Sequence, residues 1–168
     1  MRPSPGDYST YYENYIKQIE GEDILKILNE QSKNTQDILN SFSVHKGNYK
    51  YADGKWTIKE VVGHLLDSER IFAYRALCIA RGEKKSLPGF DQNDYVTEGN
   101  FNRRELFDLN YEFRLLRESN LLLFRSFTPE MLTKKGFANE SSVTVLAILY
   151  IIAGHEKHHM NVLKERYM

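Results

Sequence analysis

Two histidines near the C-terminus, His155 and His159, stand four residues apart. On a helix that spacing projects both imidazoles from one face, a single turn apart. The pair can hold a divalent ion, but an open catalytic site needs a third ligand. His64 is the candidate, because it shares a helical face with Val61, Leu65, Ser68 and Ile71. Three neutral imidazoles suit Zn²⁺, Ni²⁺ or Fe²⁺ and leave coordination positions for water or substrate. The alternative for each ring is a hydrogen-bonded core or rim histidine.

The elements that must position these rings follow from apolar periodicity. Ile24, Leu28, Ile38 and Phe42 mark one stripe, with Gln31 and Thr35 as its polar occupants. A second helix is predicted from Ile58 to Arg81, opened by a Thr57/Glu60 capping box and stopped by Gly82. The third is predicted to start at Asn102 as N-cap, with Glu105 at N3 and a Phe101/Leu106 staple. Its expected core stripe is Leu106, Leu109, Phe113, Leu116, Asn120, Leu123 and Phe127. The fourth runs from Val143 to Tyr167, capped by Ser141 or Ser142, and nothing reads as a strand.

These elements predict an all-α fold, a four-helix bundle, with residues 22–168 as the bundle and residues 1–21 as an arm docking on it. The arm carries Tyr8, Tyr11, Tyr12 and Tyr15 at helical spacing, either as packing or as an aromatic platform for a ligand. The long crossover between helices two and three, Gly82 to Phe101, can span the bundle and leave those helices parallel. The topology is then up-down-down-up. His64 would lie about 9 Å inside its helix, and the His155/His159 midpoint about 15 Å from the end of its own, so an antiparallel pair brings them within about one turn.

Other side chains are candidates around this trio. Asp67 and Glu60, three and four residues from His64, could orient an imidazole or take a proton, or could simply face solvent; Glu156 adjoins His155 but points off its face and is expected on a solvated surface. His158 is expected at the rim and His45 on the surface. Gln31, Thr35 and Asn110 at similar depth suggest a wet or ligand-occupied pocket. In the crossover, Phe90, Asp91, Asp94 and Tyr95 could cover the mouth.

Composition narrows the function classes. The 168 residues carry 23 basic and 23 acidic side chains and one cysteine. That balance lacks the basic field that nucleic-acid binding uses. A single cysteine excludes internal disulfides, and Cys78, about 21 Å along the helix from His64, is expected as a small buried hydrophobe rather than a ligand. With no signal segment or membrane-length apolar run, a cytoplasmic protein with no membrane partner is expected.

The segment W-T-I-K-E-V-V-G-H-L-L-D-S-E-R, Trp56 to Arg70, followed by G-H-E-K-H-H, Gly154 to His159, resembles the DinB-like superfamily of bacterial four-helix-bundle metalloproteins. It points to the YfiT-like branch of metal-dependent hydrolases and bacillithiol transferases. Carried over residue by residue, the resemblance makes His64, His155 and His159 the metal ligands. It departs after His159, where many members carry R-G-Q and this chain has Met160, Asn161 and Val162. The resemblance implies a divalent metal, a small-molecule substrate, a low-molecular-weight thiol as co-reactant in some members, and a homodimer. Two functions are therefore expected in competition: a metal-dependent thiol S-transferase or hydrolase, or a non-catalytic metal-binding, stress-response protein acting through self-association.

Overall fold

A computed structural model describes residues 1–168. After a single 3₁₀ turn, the chain forms α1 (Glu13–Lys17), α2 (Ile24–Asn40), α3 (Ile58–Ala80), α4 (Gln92–Gly99), α5 (Leu106–Arg125) and α6 (Pro129–Thr133). A hairpin of β1 (Lys135–Ala138) and β2 (Ser141–Thr144) leads into α7 (Val145–Arg166). Four long helices, α2, α3, α5 and α7, make the bundle.

Side-chain pairs running along the helices fix the directions. Tyr167 at the end of α7 donates to the carbonyl of Trp56 before α3, while Lys134 before α7 reaches Ala80 at the end of α3, so these two are antiparallel. Thr57 meets Asn102 and Glu69 meets Arg117, so α3 and α5 run together. Gln31 and Thr35 of α2 meet Ala153 and Glu156 of α7 in the same order. The bundle is up-down-down-up.

Its apolar interior falls into two clusters, one around Leu28, Phe72, Phe124 and Ile152, the other around Ile38, Leu66, Phe113 and Leu163. Each bundle helix passes from one cluster to the other through a buried polar residue: Thr35, Glu69, Arg117 and Glu156. Arg117 is fully buried and donates to both oxygens of Glu69 at 2.7 Å, to Glu156 at 2.8 Å and to the Leu28 carbonyl at 3.0 Å. Thr35 donates to Glu156 at 2.6 Å and Asn120 to Glu69 at 3.1 Å. One layer therefore ties all four helices together.

Several local expectations change. In α5 the buried line runs through Phe113, Arg117, Leu121 and Phe124, while Leu116 and Leu123 are only half-buried. Two carboxylates facing α5 draw its one arginine at that depth inward. The helix begins at Leu106, because Asn102 is engaged elsewhere: it accepts from Thr57 Oγ1 at 2.7 Å and donates to Glu60 at 2.8 Å. Asn102 thus extends the capping box of α3 instead of capping α5. Phe101 lies flat where a Cβ on Gly63 would sit 2.2 Å from its ring, so the close approach depends on that glycine.

The region expected to be strand-free holds the hairpin. Its two-residue tip, Asn139 and Glu140, has φ of 49° and 59°, the left-handed pair of a type I′ turn. Strands of four residues carry too little alternation to announce themselves. The cap of α7 is Thr144, whose side chain accepts from Ala147 N, not Ser141 or Ser142. The crossover is not structureless either: α4 occupies much of it, with Asp91 accepting from Asn93 and Asp94 backbone N–H groups.

Residues 1–21 pack along α7. Ile16 and Ile19 join the core, and Arg2 reaches the carbonyls of Ile19 and Gly21. A Cβ on Gly154 would meet the Tyr15 carbonyl oxygen at 2.2 Å, so the arm lies directly on that glycine. No helix is long and apolar enough to cross a membrane.

Candidate metal centre

Antiparallel α3 and α7 bring His64, His155 and His159 together at one height. Nε2 of His155 stands 2.9 Å from Nε2 of His64 and 3.1 Å from Nε2 of His159. The three rings offer ligand atoms within 4.8 Å of one another, and no cysteine or carboxylate joins the group. His64 and His155 are buried and His159 is half-buried.

Burial sets their charge. It pulls the His64 pKa down to about 4. His159 falls to about 3 through burial, with His64 and His158 adding repulsion against a second charge. His155 is pushed well below its ordinary value by burial and by the neighbouring His159, His64 and His158. All three imidazoles are neutral at pH 7.

Hydrogen bonding alone cannot satisfy this cluster. A neutral imidazole Nε2 carries either one proton or one lone pair, so His155 Nε2 can form a proper bond with only one of its two partners. A divalent ion would take all three lone pairs. Bonds of about 2.0–2.1 Å to zinc separate tetrahedral nitrogen donors by about 3.4 Å, near the 2.9 and 3.1 Å of the two pairs that meet at His155. The donor set fits a borderline divalent cation.

The surroundings orient the rings and control access. Ser68 Oγ stands 3.4 Å from His64 Nδ1, and the Trp56 ring lies 4.9 Å from the His64 ring. Tyr15 and Phe72 meet His155 edge to face at 5.5 and 6.1 Å. His64 and His155 open onto a cavity of about 300 Å³, walled by the arm tyrosines Tyr11, Tyr12 and Tyr15, by Phe72 and Arg75 of α3, by Phe90 and Asp91, and by the hairpin tip. Gly89 admits the Asn139 side chain into that wall, since a Cβ there would lie 2.3 Å from Oδ1.

Other sequence candidates fall elsewhere. Glu60 closes the capping box and binds Asn102, and Asp67 lies 4.0 Å from Arg70; neither bonds an imidazole. Glu156 is not solvated but 2% exposed in the Arg117 network. His158 packs beside Tyr15 and His159, and His45 is exposed in the turn before α3. Gln31 and Thr35 line a separate cavity of about 320 Å³, which no histidine lines, and Asn110 bonds Asn40. Asp94 and Tyr95 stay outside the histidine cavity. Cys78 is half-buried on α3, outside the cluster.

Two participants escaped the periodicity reading, Ser68 as a hydrogen-bonding group and Arg75. Arg75 shares the helical face of His64 at i+11, close to three full turns, which is the signal that could have found it.

A bundle with this topology and a three-histidine cluster belongs to a recognisable class. Residues 27–163 match the DinB superfamily, and the chain belongs to it. Among solved structures it is similar to YfiT from Bacillus subtilis, described as a probable metal-dependent hydrolase with an unusual four-helix bundle topology. That likeness has a TM-score of 0.77 at 17% identity and covers 98% of this chain and 90% of YfiT. The DinB-like protein YjoA of Bacillus subtilis aligns with a TM-score of 0.62 at 22% identity, over 87% of this chain and 90% of YjoA. A mycothiol-dependent maleylpyruvate isomerase aligns with a TM-score of 0.70 at 10% identity, over 87% of this chain but 61% of the isomerase. No curated protein matches the chain by sequence.

Proposed function

We propose that this protein is a cytoplasmic metal-dependent enzyme, a thiol S-transferase or a hydrolase, in which His64, His155 and His159 hold a divalent ion such as Zn²⁺ or Ni²⁺. The observation that carries the reading is the convergence of three neutral imidazoles, with no fourth protein ligand, beside a cavity of substrate size. Such an ion lowers the pKa of a bound water or thiol and so supplies a nucleophile near neutral pH. The remaining work belongs to the chain: Ser68 steadies the His64 ring, while Tyr15, Trp56 and Phe72 shield the cluster from bulk water. Cys78 lies about 21 Å from His64 along α3, so a reacting thiol would be a small co-reactant. Hydrolysis agrees with the description of YfiT, and thiol use with that of the mycothiol-dependent isomerase.

The test is elemental analysis of purified protein against His64→Ala and His159→Ala, paired with turnover of electrophilic substrates with and without low-molecular-weight thiols. Stoichiometric metal lost in both variants, with metal-dependent turnover, is expected. Metal retained unchanged in both would overturn the site.

A second reading, a non-catalytic metal-binding protein working through self-association, draws on one face of α5. Phe107, Tyr111, Leu115 and Leu122 are all exposed there, Phe107 at 73%. Homodimerisation through that face is compatible with an enzyme too. A dimer in sedimentation that binds metal and shows no turnover across the panel would favour this second reading.

A further inference from the structure

The structure contains two buried arginines with opposite circumstances. Arg117 is surrounded by two carboxylates, whereas Arg75, 4% exposed, forms no ion pair. Arg75 Nη2 donates to the Pro88 carbonyl at 2.6 Å, and the Tyr12 hydroxyl lies beside the guanidinium. Its buried Nε has no hydrogen-bond partner. Burying an unpaired cation is costly, and a donor left unsatisfied adds to that cost.

Arg75 also lines the cavity that His64 and His155 open onto. Its Cζ lies 5.6 Å from the Phe72 ring centre and 6.0 Å from that of Phe90, so two aromatic rings neighbour the guanidinium. His64, Ser68, Phe72 and Arg75 form one stripe along α3, about 16 Å from first to last. Asp91 is the one carboxylate on the cavity wall, and it is occupied in capping α4.

We infer that Arg75 is the anion-recognition group of this cavity and that the ligand is an elongated small molecule bearing a carboxylate, phosphate or sulfonate several bonds from the atom held at the histidines. This assignment rests on the cavity being the substrate site proposed above. The guanidinium fork matches such an anion, supplies the counter-charge that the buried cation lacks, and fixes which end of the ligand faces His64. Arg75 is thus a specificity-determining residue.

The test titrates the full-length protein, metal-free and metal-loaded, with acetate, inorganic phosphate, glutarate and the uncharged diamide of glutarate. Calorimetry reads binding, and side-chain NMR reads the Arg75 Nε–H resonance. Binding of the anions but not the diamide, movement of that resonance, and at least about tenfold weaker binding in Arg75→Gln are expected. The exposed-site control Arg125→Gln should bind as wild type, and Arg75→Gln should retain its metal. The strongest anion identifies the headgroup.

Equal anion binding by wild type and Arg75→Gln, or no movement of the Arg75 resonance with any probe, would overturn the assignment. Should Arg75→Gln fail to fold, the wild-type resonance decides alone. Anion binding abolished by His64→Ala and untouched by Arg75→Gln would place the anion at the histidines and also overturn it. Absence of metal from the wild type would instead remove the proposed chemistry while leaving the metal-free anion titration to judge Arg75.

Discussion

Replacing Arg117 by methionine removes the cation from a fully buried cluster while leaving Glu69 and Glu156 in place, at 4% and 2% exposure. The variant loses four hydrogen bonds, three of them to carboxylates, and the methionine that replaces the arginine is shorter, unbranched and uncharged. Breaking a buried ion pair from one side costs about 3–5 kcal/mol, because the abandoned charge stays out of water. For a domain this size that corresponds to a fall in Tm of roughly 6–20 °C, from about 2–4 °C per kcal/mol. Urea and thermal unfolding of both proteins at pH 7 supply the measurement. Arg117→Met combined with Glu69→Leu and Glu156→Leu should recover much of the loss, since apolar replacement of a whole buried network is often neutral. A loss below about 1 kcal/mol, or a triple variant no better than the single one, would refute the claim that this layer holds the helices by mutual charge satisfaction. Glu156 adjoins His155 and Glu69 adjoins Ser68. Arg117→Met should therefore also weaken metal binding, without touching a ligand.

In the metal-free protein the folded histidines titrate far below the value near pH 6.5 of an unfolded chain. The unfolded state then binds more protons as pH drops, so stability is full above about pH 6.5 and declines towards pH 4, by on the order of 2 kcal/mol per histidine between pH 7 and 5. Denaturation series should show His64→Ala flattening that slope by roughly a third, and an unchanged slope would contradict the burial argument. Gly154→Ala places a Cβ against the Tyr15 carbonyl, so it should cost about 1–3 kcal/mol and speed tryptic cleavage after Lys17; wild-type cleavage rates would argue against seating of the arm by that glycine. Asn102→Ala removes partners from Thr57 and Glu60 and should cost about 1 kcal/mol with metal content unchanged. Reduced metal content in that variant would give Glu60 a role beyond the cap.

The bundle and its histidine trio were readable because both are periodic. Thr57 and Glu60 announce α3, and the i, i+4 pair on α7 needs only an antiparallel partner carrying His64 at the same height. What stayed illegible depends on contacts between distant residues. Asn102 has the local pattern of an N-cap, yet Thr57 and Glu60, more than forty residues away, claim both ends of its amide. Arg117 sits one residue past Leu116, and only the arrival of Glu69 and Glu156 from two other helices decides which of the two turns inward. The hairpin fails for a third reason, its brevity.

The same dependence explains why the cavity had to be seen in three dimensions. The bundle supplies His64, Ser68, Phe72 and Arg75 as one stripe on α3, but a stripe is a surface until something closes over it. Here the arm closes over it with Tyr11, Tyr12 and Tyr15, together with Phe90, Asp91 and the tip of the hairpin. Two small residues make the closure possible: Gly154 lets the Tyr15 backbone onto α7, and Gly89 lets Asn139 into the wall. The segments that enclose the histidines thus lie outside the four long helices. Changes of ligand preference among bundles with this histidine trio should accordingly concentrate in the arm, the crossover and the hairpin, while the Arg117 layer, which ties the helices together next to His155, stays fixed.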